Sequence, residues 1–156
     1  MSTSQTRRDL LAAGIAAAFL SGGGAAAAAE DPQLKFSLAA YEKIPAQKYP
    51  WGWIRWLMNA EIDPASEMTV GIVFVEARQT NPLHVHPNSG EVLHVLCGLC
   101  EHRLGARWDK LKAGDTLRIP KDVPHQARTQ DGPCLSMVVY NTGKRQMVPV
   151  TEEKPA

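Results

Sequence analysis

Short apolar or alternating segments, each bounded by Gly, Pro, Asn or Asp, follow one another from about residue 52 to residue 141. This pattern is typical of β-strands joined by turns, and helix signals are weak throughout. Eight strands at this spacing indicate an all-β fold, a double-sheet jelly roll closed enough to enclose a small cavity. The predicted strands cover residues 52–59, 68–77, 81–86, 91–97, 100–105, 115–119, 125–130 and 134–141.

The first 29 residues have a different composition. Arg7 and Arg8 precede an uncharged run, residues 10–29, that is rich in Ala, Leu and Gly and ends in three alanines. A twin-arginine pair, an apolar run and a small-residue cleavage site are typical of a Tat signal peptide. We expect residues 1–29 to be removed and the mature protein to be periplasmic or otherwise exported through the twin-arginine pathway. A retained membrane anchor is the alternative.

The rest of the chain predicts one domain with two flanks. Residues 30–50 contain three prolines and form an extended N-terminal arm, residues 51–145 form the barrel, and residues 146–156 form a polar C-terminal tail. Without residues 1–29, basic and acidic residues are equal in number, and neither a basic run nor a phosphate-binding glycine loop occurs. We therefore expect no nucleic-acid partner and, after signal cleavage, no membrane association.

His84 and His86 are separated by one residue, so both imidazoles would lie on the same face of a strand. Residues 87–90, Pro-Asn-Ser-Gly, are a turn signal, after which a strand that begins at Glu91 would return a carboxylate beside the histidines. A later strand and turn would bring His125 into the same sheet system. These four side chains predict a shell of nitrogen and oxygen ligands for one divalent ion, suited to iron, manganese, nickel, copper or zinc, with positions left for water or substrate.

The spacing of these residues resembles the first motif of the cupin superfamily. That motif reads Gly, five residues, His-x-His, three or four residues, Glu, six residues and Gly. His84, His86, Glu91 and Gly98 fit it, whereas Arg78 stands six positions before His84, where the leading Gly is expected.

The second cupin motif reads Gly, five residues, Pro-x-Gly, two residues, His, three residues and Asn. Gly114, Pro120 and His125 fit it, while Asp122 replaces the second Gly and Thr129 replaces the Asn. Because Asp tolerates left-handed backbone better than most residues, we expect the turn to survive. The resemblance covers about residues 50–145, is similar to the small one-domain cupins, and implies a double-stranded β-helix barrel.

A metal ion with open positions suits several reactions. We expect a metal-dependent oxidoreductase of the dioxygenase type that acts on a small chelating organic substrate such as an enol or phenol. A non-redox lyase or isomerase acting on a sugar acid or hydroxyacid, and a non-catalytic protein that binds a small molecule, are the alternatives. Glu91 would serve as both ligand and base, and Tyr140 is either a second acid or base at the cavity or a core residue.

The export signal bears on which metal is bound. The usual divalent order would favour copper in such a site. The twin-arginine route carries folded proteins, so an ion can be inserted in the cytoplasm before the protein meets the copper and zinc of the periplasm. We therefore expect iron or manganese, with zinc, nickel or copper as alternatives.

Several aromatic and cysteine residues leave alternatives open. Trp51, Trp53 and Trp56 either floor a pocket or cover a core or an interface. With the apolar residues of the N-terminal arm, they offer surface that covers an open sheet edge, and small cupins commonly dimerise, so we expect a homodimer. Cys97 and Cys100 would flank a two-residue hairpin, where they either form a strained disulfide or remain free.

Two further histidines are not expected to be ligands. His94 lies three residues after Glu91 and in a regular strand faces the other way. His102 is interpreted as an ordinary strand histidine.

Overall fold

The computed structural model describes residues 40–151, and almost all of its regular structure is β-strand. The predicted signal peptide, residues 30–39 of the arm and the end of the tail lie outside the described residues. Within the described part of the chain, no helix is long and apolar enough to cross a membrane. A 3₁₀ turn, Tyr41–Lys43, precedes ten strands: β1 Gln47–Tyr49, β2 Gly52–Met58, β3 Thr69–Val75, β4 His84–Val85, β5 Glu91–Leu104, β6 Arg107–Lys112, β7 Thr116–Ile119, β8 His125–Arg128, β9 Cys134–Tyr140 and β10 Val148–Pro149.

The strands form two antiparallel sheets that share β5. The first half of β5 pairs with β9 and β7, and β9 continues through β3 and β2 to β1. The second half of β5 pairs with β6 and β8, and β8 continues through β4 to β10. This curled arrangement confirms the all-β jelly-roll prediction. Strand pairing extends past both predicted ends of the barrel, residues 51 and 145, because β1 and β10 lie in the flanks.

The hairpin predicted at residues 97–100 is wrong, because β5 runs through it without a break. Gly98 has a φ of +84°, and a Cβ there would lie 2.1 Å from the carbonyl oxygen of Pro133. The register also shifts between Val95 and Cys97. These two irregularities bend β5 so that it passes from one sheet to the other. A turn signal in the sequence therefore marks a bend within one strand.

The interior between the two sheets is filled by inward-facing residues of β5, β6 and β9. Along β9, every second side chain is buried, as the alternation of a strand with one face on the core requires. The main buried cluster consists of Leu93, Val95, Cys100, Leu111, Cys134, Val138 and Tyr140. Tyr140 thus belongs both to the core and to the wall of the candidate site described below.

Three positions that depart from the cupin motifs keep the backbone that the motifs need. Arg78 and Asp122 have φ values of 60° and 63°, so both adopt the left-handed conformation that glycine favours. The amide of Asp122 donates a hydrogen bond to the carbonyl oxygen of His86, at 3.2 Å. The buried hydroxyl of Thr129 donates to the carbonyl oxygen of Glu76 and accepts from the amide of Gln79. A backbone hydrogen bond therefore joins the turn before His125 to His86, which directly follows β4.

Candidate metal centre

Three histidines come together although they lie on different segments. His84 begins β4, His86 follows it, and His125 begins β8 directly opposite His84 in the strand register. One ring nitrogen of each histidine lies within 4.8 Å of those of the other two. The ring centroids are 4.2 Å apart for His84 and His125 and 5.0 Å apart for His86 and His125. The structure therefore brings together the three histidines that the spacing singled out.

Glu91 reaches this group from the other sheet. The sequence predicted that the turn at residues 87–90 would fold β4 and β5 into a hairpin, and this is wrong. The turn carries the chain across the barrel, where Glu91 pairs with Ile119 and Tyr140. Its Oε2 atom lies 3.2 Å from Nε2 of His86 and 3.3 Å from Nε2 of His125. The carboxylate lies beside two of the three histidines.

Backbone carbonyls fix the tautomer of all three imidazoles. Nδ1 of His84 lies 2.7 Å from the carbonyl oxygen of Pro82, Nδ1 of His86 lies 2.6 Å from that of Gln146, and Nδ1 of His125 lies 2.8 Å from that of Val123. Because a carbonyl only accepts, each neutral ring must carry its proton on Nδ1. This is the usual outer hydrogen bond of a metal-binding histidine, and it leaves Nε2 as a free lone pair.

The atoms that face one another at the centre have no hydrogen-bond partner. They are Nε2 of His86, Nε2 of His125 and Oε2 of Glu91, all buried. Lone pairs and a carboxylate oxygen at 3.2–3.3 Å repel one another unless a cation or added protons lie between them. The donor set of three nitrogens and one oxygen fits a divalent transition metal. Residues 84, 86, 91 and 125 would hold it.

The ionisation of the site also suits a cation. Burial, and then the neighbouring ring of His125, lower the pKa of His84 to about 4, so His84 is neutral near pH 7, the form that binds a metal. Burial would raise the pKa of Glu91, but when the rings of His125 and His86 carry protons on Nε2, their hydrogen bonds to the carboxylate outweigh burial and hold that pKa well below its ordinary value. The carboxylate is therefore ionised.

Tyr140 closes one side of the centre. Its ring lies 4.9 Å from that of His86 at an interplanar angle of 76°, and its hydroxyl contacts Glu91. Burial, and then the charge of Glu91, raise the pKa of Tyr140 well above its ordinary value. The hydroxyl therefore stays protonated and can donate to the carboxylate. This placement is compatible with the predicted acid or base role and with the core role alike.

A cavity of about 120 Å³ opens beside the centre. Most of its wall is apolar, and the polar groups gather at the histidines. Two of the three clustered tryptophans, Trp51 and Trp56, line it, whereas Trp53 faces outward and stacks on Phe74 at 5.4 Å. The principal wall residues are Ile54, Val73, Val75, Leu93, Ala127, Val138, Tyr140, Arg145 and Met147.

The two histidines that were not expected to be ligands lie in different places. His94 faces outward as predicted, and its Nδ1 lies 2.8 Å from the Thr116 hydroxyl. His102, however, is buried in the cavity wall, with its ring stacked 5.9 Å from that of His125. Counting by twos from Glu91 turns residue 102 outward, but the irregularity near Gly98 reverses the alternation. Burial lowers the pKa of His102 to about 4, so the ring is neutral.

Cys97 and Cys100 do not form a disulfide in the structure. Cys97 is exposed and Cys100 is buried, on opposite faces of the bent strand, and both are free thiols, as is the buried Cys134. Of the two alternatives for Cys97 and Cys100, a disulfide or free thiols, the structure shows free thiols. Cys100 and Cys134 both line the cavity.

The family comparison agrees with this geometry. Residues 71–140 match the family model Cupin_2, cupin domain. All four predicted ligands lie within the residues that match this family model.

Known proteins with similar sequence or fold differ in size. The chain is 28% identical over 106 residues to protein SchB of Streptomyces halstedii, an alignment that covers 68% of this chain and 76% of SchB. Its fold matches the polyketide cyclase RemF from Streptomyces resistomycificus with a TM-score of 0.65 and 19% identity, over 77% of this chain and 89% of RemF. It matches Lactobacillus farciminis oxalate decarboxylase, solved as a formate complex, with a TM-score of 0.65 and 19% identity, over 70% of this chain. The match spans only 34% of that decarboxylase, so this chain corresponds to about a third of its length.

Proposed function

We propose that this cupin domain is a metal-dependent oxidoreductase of the dioxygenase type that acts on a small chelating organic substrate such as an enol or phenol. One observation carries the proposal: three imidazoles, each with Nδ1 held by a backbone carbonyl, and an ionised carboxylate come together beside an apolar cavity. Four protein ligands leave positions for other molecules on an octahedral ion. Iron or manganese is the proposed ion.

The residues around the proposed ion supply binding and proton transfer. A bound redox-active ion would polarise an enol or phenol oxygen and supply electron transfer. Glu91 is placed to accept the proton of a substrate hydroxyl, and the hydroxyl of Tyr140 contacts the same carboxylate. The apolar walls, among them Val73, Leu93 and Val138, exclude water from the reacting end of the cavity.

Metal content and oxygen uptake test this proposal together. Protein purified without added metal should contain about one iron or manganese ion per chain, measured by mass spectrometry of the elements. Oxygen consumption should appear with at least one member of a panel of phenols, enols and diketones. Zinc as the native ion, with no oxygen uptake across the panel, would contradict the oxidoreductase proposal. Binding without any turnover would indicate a non-catalytic binding protein.

A second candidate is a non-redox lyase or isomerase, and the contact between Glu91 and Tyr140 favours it. A carboxylate and a phenol in contact can remove a proton from one atom and return it to another without electron transfer. Exchange of substrate protons with deuterated water in the absence of oxygen would separate this candidate from the first.

We further propose that the protein is exported by the twin-arginine route and cleaved near Glu30. The twin-arginine pair and the uncharged run after it support this proposal. Replacing Arg7 and Arg8 by lysine should leave full-length precursor in the cytoplasm, as measured by fractionation and immunoblotting. The matched control is replacement of Lys110 by arginine, which should not alter export. Normal export of the twin-lysine variant would refute this route.

A homodimer is also proposed, formed through the outer face of the larger sheet. Arg55 holds the arm against this sheet by donating hydrogen bonds to the carbonyl oxygens of Ile44 and Tyr41, at 2.7 and 3.0 Å. The register places several apolar side chains beside one another on the outer face, and a second copy would cover them. They are Trp53, Val70, Ile72, Phe74, Val92, Leu135, Met137 and Val139.

Light scattering at micromolar concentration should give twice the mass of one chain. Met137→Glu should shift the protein towards the monomer, because it places a charge among the apolar residues of the outer face. Met68→Glu is the matched control, since Met68 precedes β3 and is already 47% exposed. A monomer mass for the unaltered protein would contradict the homodimer.

A further inference from the structure

One cation in the cavity wall has no role in the proposed metal chemistry. Arg145 lines the cavity and is the single lysine or arginine among the described residues of the wall. Its guanidinium carbon lies 4.7 Å from the ring centre of Trp56 and 5.3 Å from that of Tyr140. Both contacts are with ring faces, so aromatic packing holds the guanidinium in place.

The hydrogen-bonding capacity of this guanidinium is not used within residues 40–151. Arg145 makes ring contacts there but neither a hydrogen bond nor an ion pair. By contrast, Arg78, Arg107 and Arg128 each donate to a carboxylate. A guanidinium presents five N–H donors in a planar fork that matches a carboxylate with two parallel hydrogen bonds. Arg145 is thus an available anion-binding group at the cavity.

The segment that carries Arg145 is fastened beside the metal ligands. The carbonyl oxygen of Gln146 accepts from Nδ1 of His86 at 2.6 Å. The side chain of Asn88 donates to the carbonyl oxygen of Lys144 at 2.7 Å and accepts from the amide of Gln146 at 3.0 Å. Arg145 is therefore flanked by two residues whose backbone is held, which keeps it beside the cavity.

Only one aromatic ring separates the cation from the metal ligands. The Tyr140 ring contacts both the guanidinium of Arg145 and the ring of His86, at 5.3 Å from the guanidinium carbon and 4.9 Å between the ring centres. A molecule about as long as a substituted benzene ring can therefore reach both groups. The wall between them is apolar and partly aromatic, which suits an unsaturated or aromatic body.

We propose that Arg145 binds the carboxylate of the substrate, so that the cavity selects small aromatic or otherwise unsaturated carboxylic acids. The carboxylate pairs with the guanidinium, the apolar body packs on Trp56 and Val138, and the opposite end, which carries an enol or phenol oxygen, faces the histidines. This orientation rests on the proposed function, but carboxylate binding itself does not.

Benzoate is the probe that tests the anion site, with benzamide as its neutral counterpart of the same shape. Binding is followed on the full-length protein by the indole N–H resonance of Trp56, both as purified and after metal removal with EDTA. Arg145→Gln should weaken benzoate binding about tenfold or more, because charge-assisted hydrogen bonds to the carboxylate are lost. Benzamide should bind weakly to both proteins. Arg107→Gln is the control, since Arg107 pairs with Asp109 on the exposed strand β6, and it should leave benzoate affinity unchanged.

The outcomes separate this inference from the metal proposal. Equal benzoate affinity in Arg145→Gln and the unaltered protein, or no binding to either, would overturn the anion site. Binding that survives Arg145→Gln but disappears with EDTA would mean that benzoate coordinates the metal instead, which also overturns it. A protein without metal or turnover can still show the Arg145 dependence. If Arg145→Gln fails to fold by circular dichroism, Arg145→Lys, which keeps the charge but loses the fork, should show weakened benzoate binding in its place.

Discussion

Replacing His84 and His86 together by alanine is expected to abolish binding of the divalent ion. The double substitution removes two of the three imidazoles of the centre, including that of His86, whose Nε2 lies 3.2 Å from Oε2 of Glu91. Changes to groups that only orient a ligand cost about 10–100-fold in affinity, so the loss of two ligands should cost more than about a hundredfold. Metal content should fall from about one ion per chain to near zero, as measured by mass spectrometry of the elements after dialysis.

A histidine outside the centre supplies the control for this experiment. His94→Ala removes a histidine from the same barrel, but its side chain faces outward and contacts Thr116, so metal content should not change. Circular dichroism must show that the double variant keeps its β-structure. Unchanged stoichiometry in that folded variant would place the metal elsewhere, while loss of metal in His94→Ala would mean that the assay reports on a general change in the protein.

Much of the metal centre could be predicted from local spacing. Two histidines separated by one residue must share a face of a strand, and the left-handed Asp122 supports the turn that leads to His125. Glu91 was also predicted to lie beside the histidines, but the structure brings it there by a different route from the predicted hairpin. It arrives from the opposite sheet and not from a hairpin partner, because β4 and the first half of β5, which begins at Glu91, belong to different sheets.

Two other residues of the cavity wall, His102 and Arg145, could not be predicted from the alternation of side chains along a strand. The bend at Gly98 reverses which side chains of β5 face inward, so His102 enters the cavity although simple counting turns it out. Arg145 reaches the cavity because hydrogen bonds join its neighbours to Asn88 and His86, which lie 56 to 60 residues earlier in the chain. No local pattern predicts contacts at that separation.

Glu91→Gln is expected to separate metal binding from turnover. An amide oxygen can still coordinate, so the variant should keep part of its metal, but glutamine cannot accept the substrate proton. General base catalysis contributes about 10²–10⁴-fold, so the rate of the metal-loaded variant on any compound that the unaltered protein converts should fall about a hundredfold or more. Metal analysis and turnover must be measured on the same preparation.

The matched control is Glu101→Gln, because Glu101 lies on the same strand but pairs with Arg128, 2.6 Å away, and does not line the cavity. Its turnover should remain close to that of the unaltered protein. Tyr140→Phe then shows whether Glu91 or Tyr140 is the essential acid or base. If Glu91→Gln retained most of the rate while Tyr140→Phe lost it, the phenol would be the essential acid or base, and Glu91 would act as a ligand alone. If Glu91→Gln alone lost the rate, the carboxylate would be the base, and the contact with the Tyr140 hydroxyl would serve to position it.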